Sequence, residues 1–119
     1  MRRGEIRLVD LDLDLDPVRG AEANKRRPAV IVSNDGANST AQRLGRGVVT
    51  VVPVTSSTGR VYPFQVMLPA SVTGLERDSK AQAEQVRSVV VERVGTLVGV
   101  VPPELLASLD EALRLHLAL

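Results

Sequence analysis

Cysteine and tryptophan are both absent from this chain, which has a single tyrosine, a single phenylalanine and a single histidine. Without cysteine there can be no disulfide, no thiol chemistry and no cysteine-ligated metal site, a composition that fits a reducing compartment. The lone histidine, His116, excludes catalysis by a histidine pair and zinc sites built on histidine clusters. Set among Leu113, Leu115, Leu117 and Leu119, it reads as a tolerated helix residue. Tyr62 and Phe64 alone do not make a multi-aromatic base-stacking sheet. An excess of one charge is missing too: 15 Lys and Arg against 14 Asp and Glu leave +1, so any attraction for a polyanion must come from local clusters. Long apolar runs are also lacking. The stretch after Met1-Arg2-Arg3-Gly4-Glu5 breaks at Asp10, too soon for a signal-peptide core or a membrane span. A soluble, cytoplasmic protein without membrane contact is expected, and its chemistry is left to Arg, Lys, Glu, Asp, Ser, Thr and Tyr.

What is present is one buried core's worth of chain: 119 residues, 44% of them hydrophobic, read as a single domain over 1–119. Segments rich in Val and Ile recur at Ile6 to Val9, Ala29 to Val32, Val48 to Val54, Val61 to Leu68 and Val86 to Val91. This is the pattern of a mainly β domain. In the fourth segment Tyr62, Phe64, Val66 and Leu68 share one parity, which predicts one buried face. Loops are predicted at Pro17 to Arg27, Ser33 to Asn38 and Thr55 to Gly59, all dense in Gly, Asn, Asp or Ser. Lys80 to Val94 fits either a helical stripe or a strand, and Val89-Val90-Val91 favours a strand for its second half. After Pro102-Pro103-Glu104, the spacing of Leu105, Leu106, Leu109, Ala112, Leu113 and Leu117 predicts an amphipathic C-terminal helix that closes one face of the sheet.

Leu11-Asp12-Leu13-Asp14-Leu15-Asp16 alternates with strand period. Spaced aspartates raise a calcium loop, but the required Gly and Glu positions hold Leu15 and Ala21 counted from Asp10, or Pro17 and Ala23 counted from Asp12. An extended hairpin arm with its aspartates in water is the better reading. No metal-ligand motif or cofactor motif is recognisable.

Two places hold chemistry-bearing groups. Arg19, Glu22, Lys25, Arg26 and Arg27 crowd the loop before Pro28, a candidate phosphate cradle that is weak alone because charged hairpin loops are usually just solvated. Thr55, Ser56 and Ser57 end a predicted buried strand, where hydroxyls also make ordinary turns.

The order and spacing of several motifs resemble the MazF/PemK/Kid toxins: Arg3-Gly4-Glu5-Ile6, Val9-Asp10-Leu11-Asp12 with Asp16-Pro17, and Gly20-Ala21-Glu22. The series continues with Lys25-Arg26-Arg27-Pro28-Ala29-Val30-Ile31-Val32-Ser33-Asn34-Asp35, Val52-Pro53-Val54-Thr55-Ser56, Tyr62-Pro63-Phe64 and Glu84-Gln85-Val86-Arg87-Ser88. The resemblance implies a small SH3-like curved barrel of CcdB/PemK-like fold with a C-terminal helix, working as a homodimer whose groove holds RNA. It implies a metal-independent, sequence-selective endoribonuclease that cleaves single-stranded RNA and is held in check by an acidic, MazE-like antitoxin.

By analogy Arg27 is the principal catalytic residue and Thr55 its hydroxyl partner, with the proton acceptor open between Glu84 and Glu22. Arg19, Lys25, Arg26, Ser56, Tyr62, Gln82 and Arg87 are the expected RNA contacts. In Kid-like members an arginine and an aspartate stand where this chain has Gln82 and Glu84. Glutamate can keep a base's role, but glutamine cannot replace an arginine, so weight shifts to Arg27. The extra Leu-Asp pairs add an even number of residues, which keeps every side chain on its original sheet face.

A CcdB-like gyrase poison shares the expected fold without nuclease activity, but such poisons end in Trp-Gly-Ile and this chain ends Leu117-Ala118-Leu119. A transcription factor would need an exposed basic recognition helix, and the C-terminal segment offers only Arg114.

Overall fold

The computed structural model describes residues 1–11 and 26–119. The Leu-Asp repeat and most of the basic loop, including Arg19, Glu22 and Lys25, lie outside these residues.

Seven strands form an antiparallel sheet: β1 (Glu5–Val9), β2 (Arg27–Ile31), β3 (Val48–Thr55), β4 (Gln65–Leu68), β5 (Ser79–Gln82), β6 (Arg87–Val90) and β7 (Val94–Val100). Their order is β4-β5-β3-β2-β1-β7, with β6 also paired to β3. Helices α1 (Asp35–Leu44), α2 (Ala70–Thr73) and α3 (Pro103–Leu117) complete it. The mainly β architecture with a C-terminal helix agrees with the sequence reading.

Strand β3 organises the core because its β-branched residues bury on both faces. Val52 and Val54 join Ile6, Val30, Val66, Leu68, Leu109 and Ala112 in one cluster. Val49 and Val51, of the other parity, join Val9, Ala29, Ile31, Ala41 and Val89 in a second. β5 and β6 run along the same edge of β3, with Val54 opposite Ala81 and Val51 opposite Arg87. Between them a 3-10 turn at Ala83–Gln85 interrupts the pairing and lets the sheet bend. That turn is why Lys80 to Val94 reads ambiguously: it is two strands separated by a turn, followed by a second 3-10 turn at Val91–Arg93.

Three expectations need correction. Ser33 to Asn38 is not a loop throughout, because α1 begins at Asp35. Asn34 caps it, its side-chain oxygen accepting the Ala37 N–H at 2.8 Å. Few apolar residues mark this helix, so its periodicity is faint. Asn38 is buried instead, its amide donating to the Ser33 carbonyl at 2.8 Å. Secondly, Val61 to Leu68 is strand only from Gln65. Pro63 and Phe64 form a turn, Tyr62 is 41% exposed, and of the predicted face only Val66 and Leu68 are fully buried. Thirdly, Leu117 is exposed although it shares the helical stripe, since α3 runs past the sheet before its end. Leu109 and Ala112 do bury, as predicted, with α3 lying on β4 and the Ala83–Gln85 turn. Arg3 ties the helix to the sheet, reaching the Asp110 carboxylate at 2.5 Å and the Val32 carbonyl at 2.8 Å. Among the described residues no helix is long and apolar enough to cross a membrane.

Candidate active site

The backbone register sets up the site. Ala29 pairs with Pro53, Val30 with Val52 and Ile31 with Val51. Continued by two residues, the same register sets Arg27, at the start of β2, opposite Thr55, at the end of β3. Directly opposed residues on antiparallel neighbours share a face and come within side-chain reach of each other. Both line a cleft of about 580 Å³, together with Arg26, Ser56, Glu76, Arg77 and Ser79 over an apolar floor that includes Leu8, Val54 and Val98.

Thr55 is turned by its own loop. Its Oγ1 accepts the Ser57 backbone N–H at 3.1 Å, which uses an acceptor position and leaves the hydroxyl proton to donate elsewhere. The Arg26 guanidinium lies against Gly95 of β7. A Cβ built on Gly95 would stand 2.1 Å from Arg26 Nη1 and 3.2 Å from the Leu8 carbonyl, so only glycine leaves room for the guanidinium there.

Glu76 and Arg77 were not singled out from the sequence. They sit on a short link after α2, entered through Gly74 at φ +88°. Asp78 secures its far side by accepting the Ala70 N–H at 2.8 Å, and Ser79 Oγ donates to the Arg77 carbonyl at 3.0 Å. The detectable signal was the charged run Glu76-Arg77-Asp78, one residue beyond Gly74. With Arg26, Arg27 and Arg77 against Glu76, the lining holds three guanidinium groups and one carboxylate among the described residues. Planar cations over an apolar floor suit the oxygens of a phosphodiester.

Other predicted residues stand apart from this cleft. Glu84 Oε2 accepts from Gln65 Nε2 at 2.7 Å, while Glu84 Oε1 is buried without a partner among the described residues. Gln82 lies opposite Gln65 in the β4–β5 register. Arg87 donates to the Leu11 carbonyl at 2.9 Å, at the edge of the residues described. Tyr62 stacks on Phe64 with centroids 5.3 Å apart and planes 2° from parallel. His116 is exposed near the end of α3. Among the described residues no group of three or more His, Asp or Glu is arranged to hold a metal ion.

Comparison with known proteins places this geometry. A family model described as PemK-like, MazF-like toxin of type II toxin-antitoxin system matches residues 2–117. The chain is 64% identical over 119 residues to endoribonuclease MazF9 of Mycobacterium tuberculosis, covering all of this chain and 98% of that protein. Among solved structures it is similar to the Mycobacterium tuberculosis toxin MazF-mt6, with a TM-score of 0.74 at 23% identity over 97% of both chains. It is similar also to an endoribonuclease in complex with its cognate antitoxin from a mycobacterial species, with a TM-score of 0.72 at 23% identity over 100% of this chain and 96% of the other.

Proposed function

The chain belongs to the PemK-like, MazF-like family of toxins of type II toxin-antitoxin systems, and from that premise we propose that it cuts single-stranded RNA at selected sequences, without a metal, using the substrate's own 2′-hydroxyl. Endoribonuclease activity itself follows from the 64% identity to a protein of that name along the whole chain. The observation that carries the chemistry is that Arg27 and Thr55 line one cleft together with the guanidinium groups of Arg26 and Arg77.

In the proposed step the 2′-oxygen attacks the adjacent phosphorus while its proton passes to a carboxylate, and the bond to the 5′-oxygen breaks. The products are a 2′,3′-cyclic phosphate and a 5′-hydroxyl, the leaving oxygen having taken up a proton. Arg27 opposes the charge that grows on the phosphorane oxygens, and the Thr55 hydroxyl, already oriented by Ser57, donates to one of them. Electrostatic stabilisation is the better role for Arg27, since a guanidinium gives up a proton only to a strongly basic oxygen.

Of the carboxylates proposed as proton acceptor, Glu84 would act from outside this cleft, where Gln65 holds it. Glu22 lies outside the described residues, and Glu76 is the carboxylate that lines the cleft among them. The pH–rate profiles of Glu22→Gln, Glu76→Gln and Glu84→Gln assign the role, because only loss of the base removes the acidic limb.

The working form in this reading is a cytoplasmic homodimer. Val48 and Val90 face each other across β3 and β6, both exposed, 57% and 40%, as a paired apolar patch that a second copy would cover. An acidic, MazE-like antitoxin would cover the basic cleft, with fast and salt-sensitive association. The decisive experiment is cleavage of a labelled RNA with a chelator present, alongside the same RNA carrying one deoxyribose at the scissile position. Cutting should persist in the first and stop in the second. Cleavage of the deoxy substrate, or dependence on an added metal, would sink the mechanism.

A further inference from the structure

Lys80 is a charged residue with little exposure on an inner strand of the sheet. It lies on β5, is 8% exposed, and pairs with no carboxylate among the described residues. Its stem is covered while its ammonium, in a half-buried hydrogen bond, is satisfied by a backbone carbonyl rather than by a counter-charge. Its surroundings show what the charge does instead.

Lys80 Nζ donates to the Arg60 carbonyl at 2.5 Å, across to the connection between β3 and β4. The same nitrogen stands 5.9 Å from the centre of the Tyr62 ring, and the Arg60 guanidinium stands 5.5 Å from it. Arg60 also donates to the Tyr62 hydroxyl at 3.3 Å. On the strand itself Lys80 is the cross-strand partner of Thr55, and its neighbour Ser79 lines the cleft. One side chain thus connects the strand end that carries Thr55 to the stack of exposed Tyr62 on half-buried Phe64.

We propose that Lys80 is a positioning residue for substrate: its ammonium pins the 56–64 connection by the Arg60 carbonyl and so holds the Tyr62–Phe64 stack as a fixed wall, against which a nucleotide flanking the cut is ordered. The inference rests on the reading of the cleft as an RNA site. Because Lys80 does not touch the reacting phosphate, it acts on binding of the flanking nucleotide and leaves the chemical step alone. Because the ammonium has no carboxylate partner among the described residues, removing it breaks no ion pair there.

Both consequences are measurable with purified full-length protein. Lys80→Met keeps the length of the side chain and deletes the charge. It should raise KM about tenfold on a labelled single-stranded RNA, within the range that one stacked base contributes, with kcat little changed. Its Tm should equal or exceed that of the parent. Lys80→Arg keeps a charged donor and should restore most of the binding. The slope of log affinity against log salt, taken on a non-cleavable RNA with deoxyribose at the scissile position, should stay at the parent value.

A KM unchanged in Lys80→Met overturns the proposal, as does a joint fall of kcat and Tm, which is the mark of a purely structural residue. A slope reduced by about 0.7 overturns it in favour of a direct phosphate contact. Arg27→Ala in the same assay separates the two readings. If Arg27→Ala is inactive while Lys80→Met matches the parent, only the positioning role fails. If Arg27→Ala cleaves normally, the reading of the cleft itself fails.

Discussion

Replacing Arg27 with alanine is the sharpest test of the cleft. The residue starts β2, where its backbone pairs with Val9, and its side chain is exposed, so alanine keeps the strand pairing and creates no cavity. The stability change should stay within about 0.5 kcal/mol, the usual size at a surface position. The effect on the reaction should be much larger. Removing one preorganised donor from a transition state costs about 10²–10³ in rate, or ~2.7–4 kcal/mol. Here two other guanidinium groups, Arg26 and Arg77, remain in the lining and Arg27 is open to solvent, so the lower end, about a hundredfold, is expected. The loss should fall on kcat, because the charge it opposes grows only in the transition state. Arg27→Lys should recover part of it, a point charge replacing a two-pronged planar contact. Thr55→Ala should cost less than Arg27→Ala, since it removes a neutral donor. Single-turnover cleavage of an end-labelled RNA, with circular dichroism on the same samples, gives both numbers. Full activity in Arg27→Ala, or a loss matched by an equivalent fall in Tm, would refute the reasoning.

Gly95→Ala should push Arg26 off β7, because the new methyl would sit 2.1 Å from its guanidinium; fluorescence anisotropy with a non-cleavable RNA should show weaker binding, and unchanged affinity would remove Arg26 from the site. Burial pushes the Glu5 carboxyl up, but the Arg7 guanidinium donating at 2.9 Å, with the Arg2 backbone and the N-terminal ammonium, more than offsets this and leaves it below its ordinary 4.5. A depressed folded-state value means that this stabilisation is complete above the unfolded value and disappears as pH falls through the folded one, so Glu5→Gln should flatten the loss of stability below about pH 4.5 in urea titrations. Leu109→Ala, at a fully buried position of α3, should cost about 2–5 kcal/mol and lower Tm by roughly 10 °C or more, whereas exposed Leu117→Ala should stay within about 0.5 kcal/mol.

Strands rich in β-branched residues were legible in the residues alone: β1, β2, β3 and β6 carry Val and Ile, and α3 carries a helical stripe after two prolines. The order of motifs also led to the toxin family and to Arg27 and Thr55, because those residue types sit at recognisable places beside Pro28 and after Pro53. Elements whose stability comes from partners were not legible. β5 buries Lys80 and Ser79, β7 is interrupted by Gly95 and Gly99, and α1 is polar, so none carries a clean hydrophobic period. The site shows the same division. Which side chains carry charge or a hydroxyl is a local property, written in the residues. That Arg27 faces Thr55, that Glu76 and Arg77 join them while Glu84 is held away by Gln65, and that Lys80 reaches the Arg60 carbonyl are consequences of strand register and loop closure. Those are set by long-range pairing of the backbone, in which each contact depends on the burial of many others, and so only the folded chain decides them.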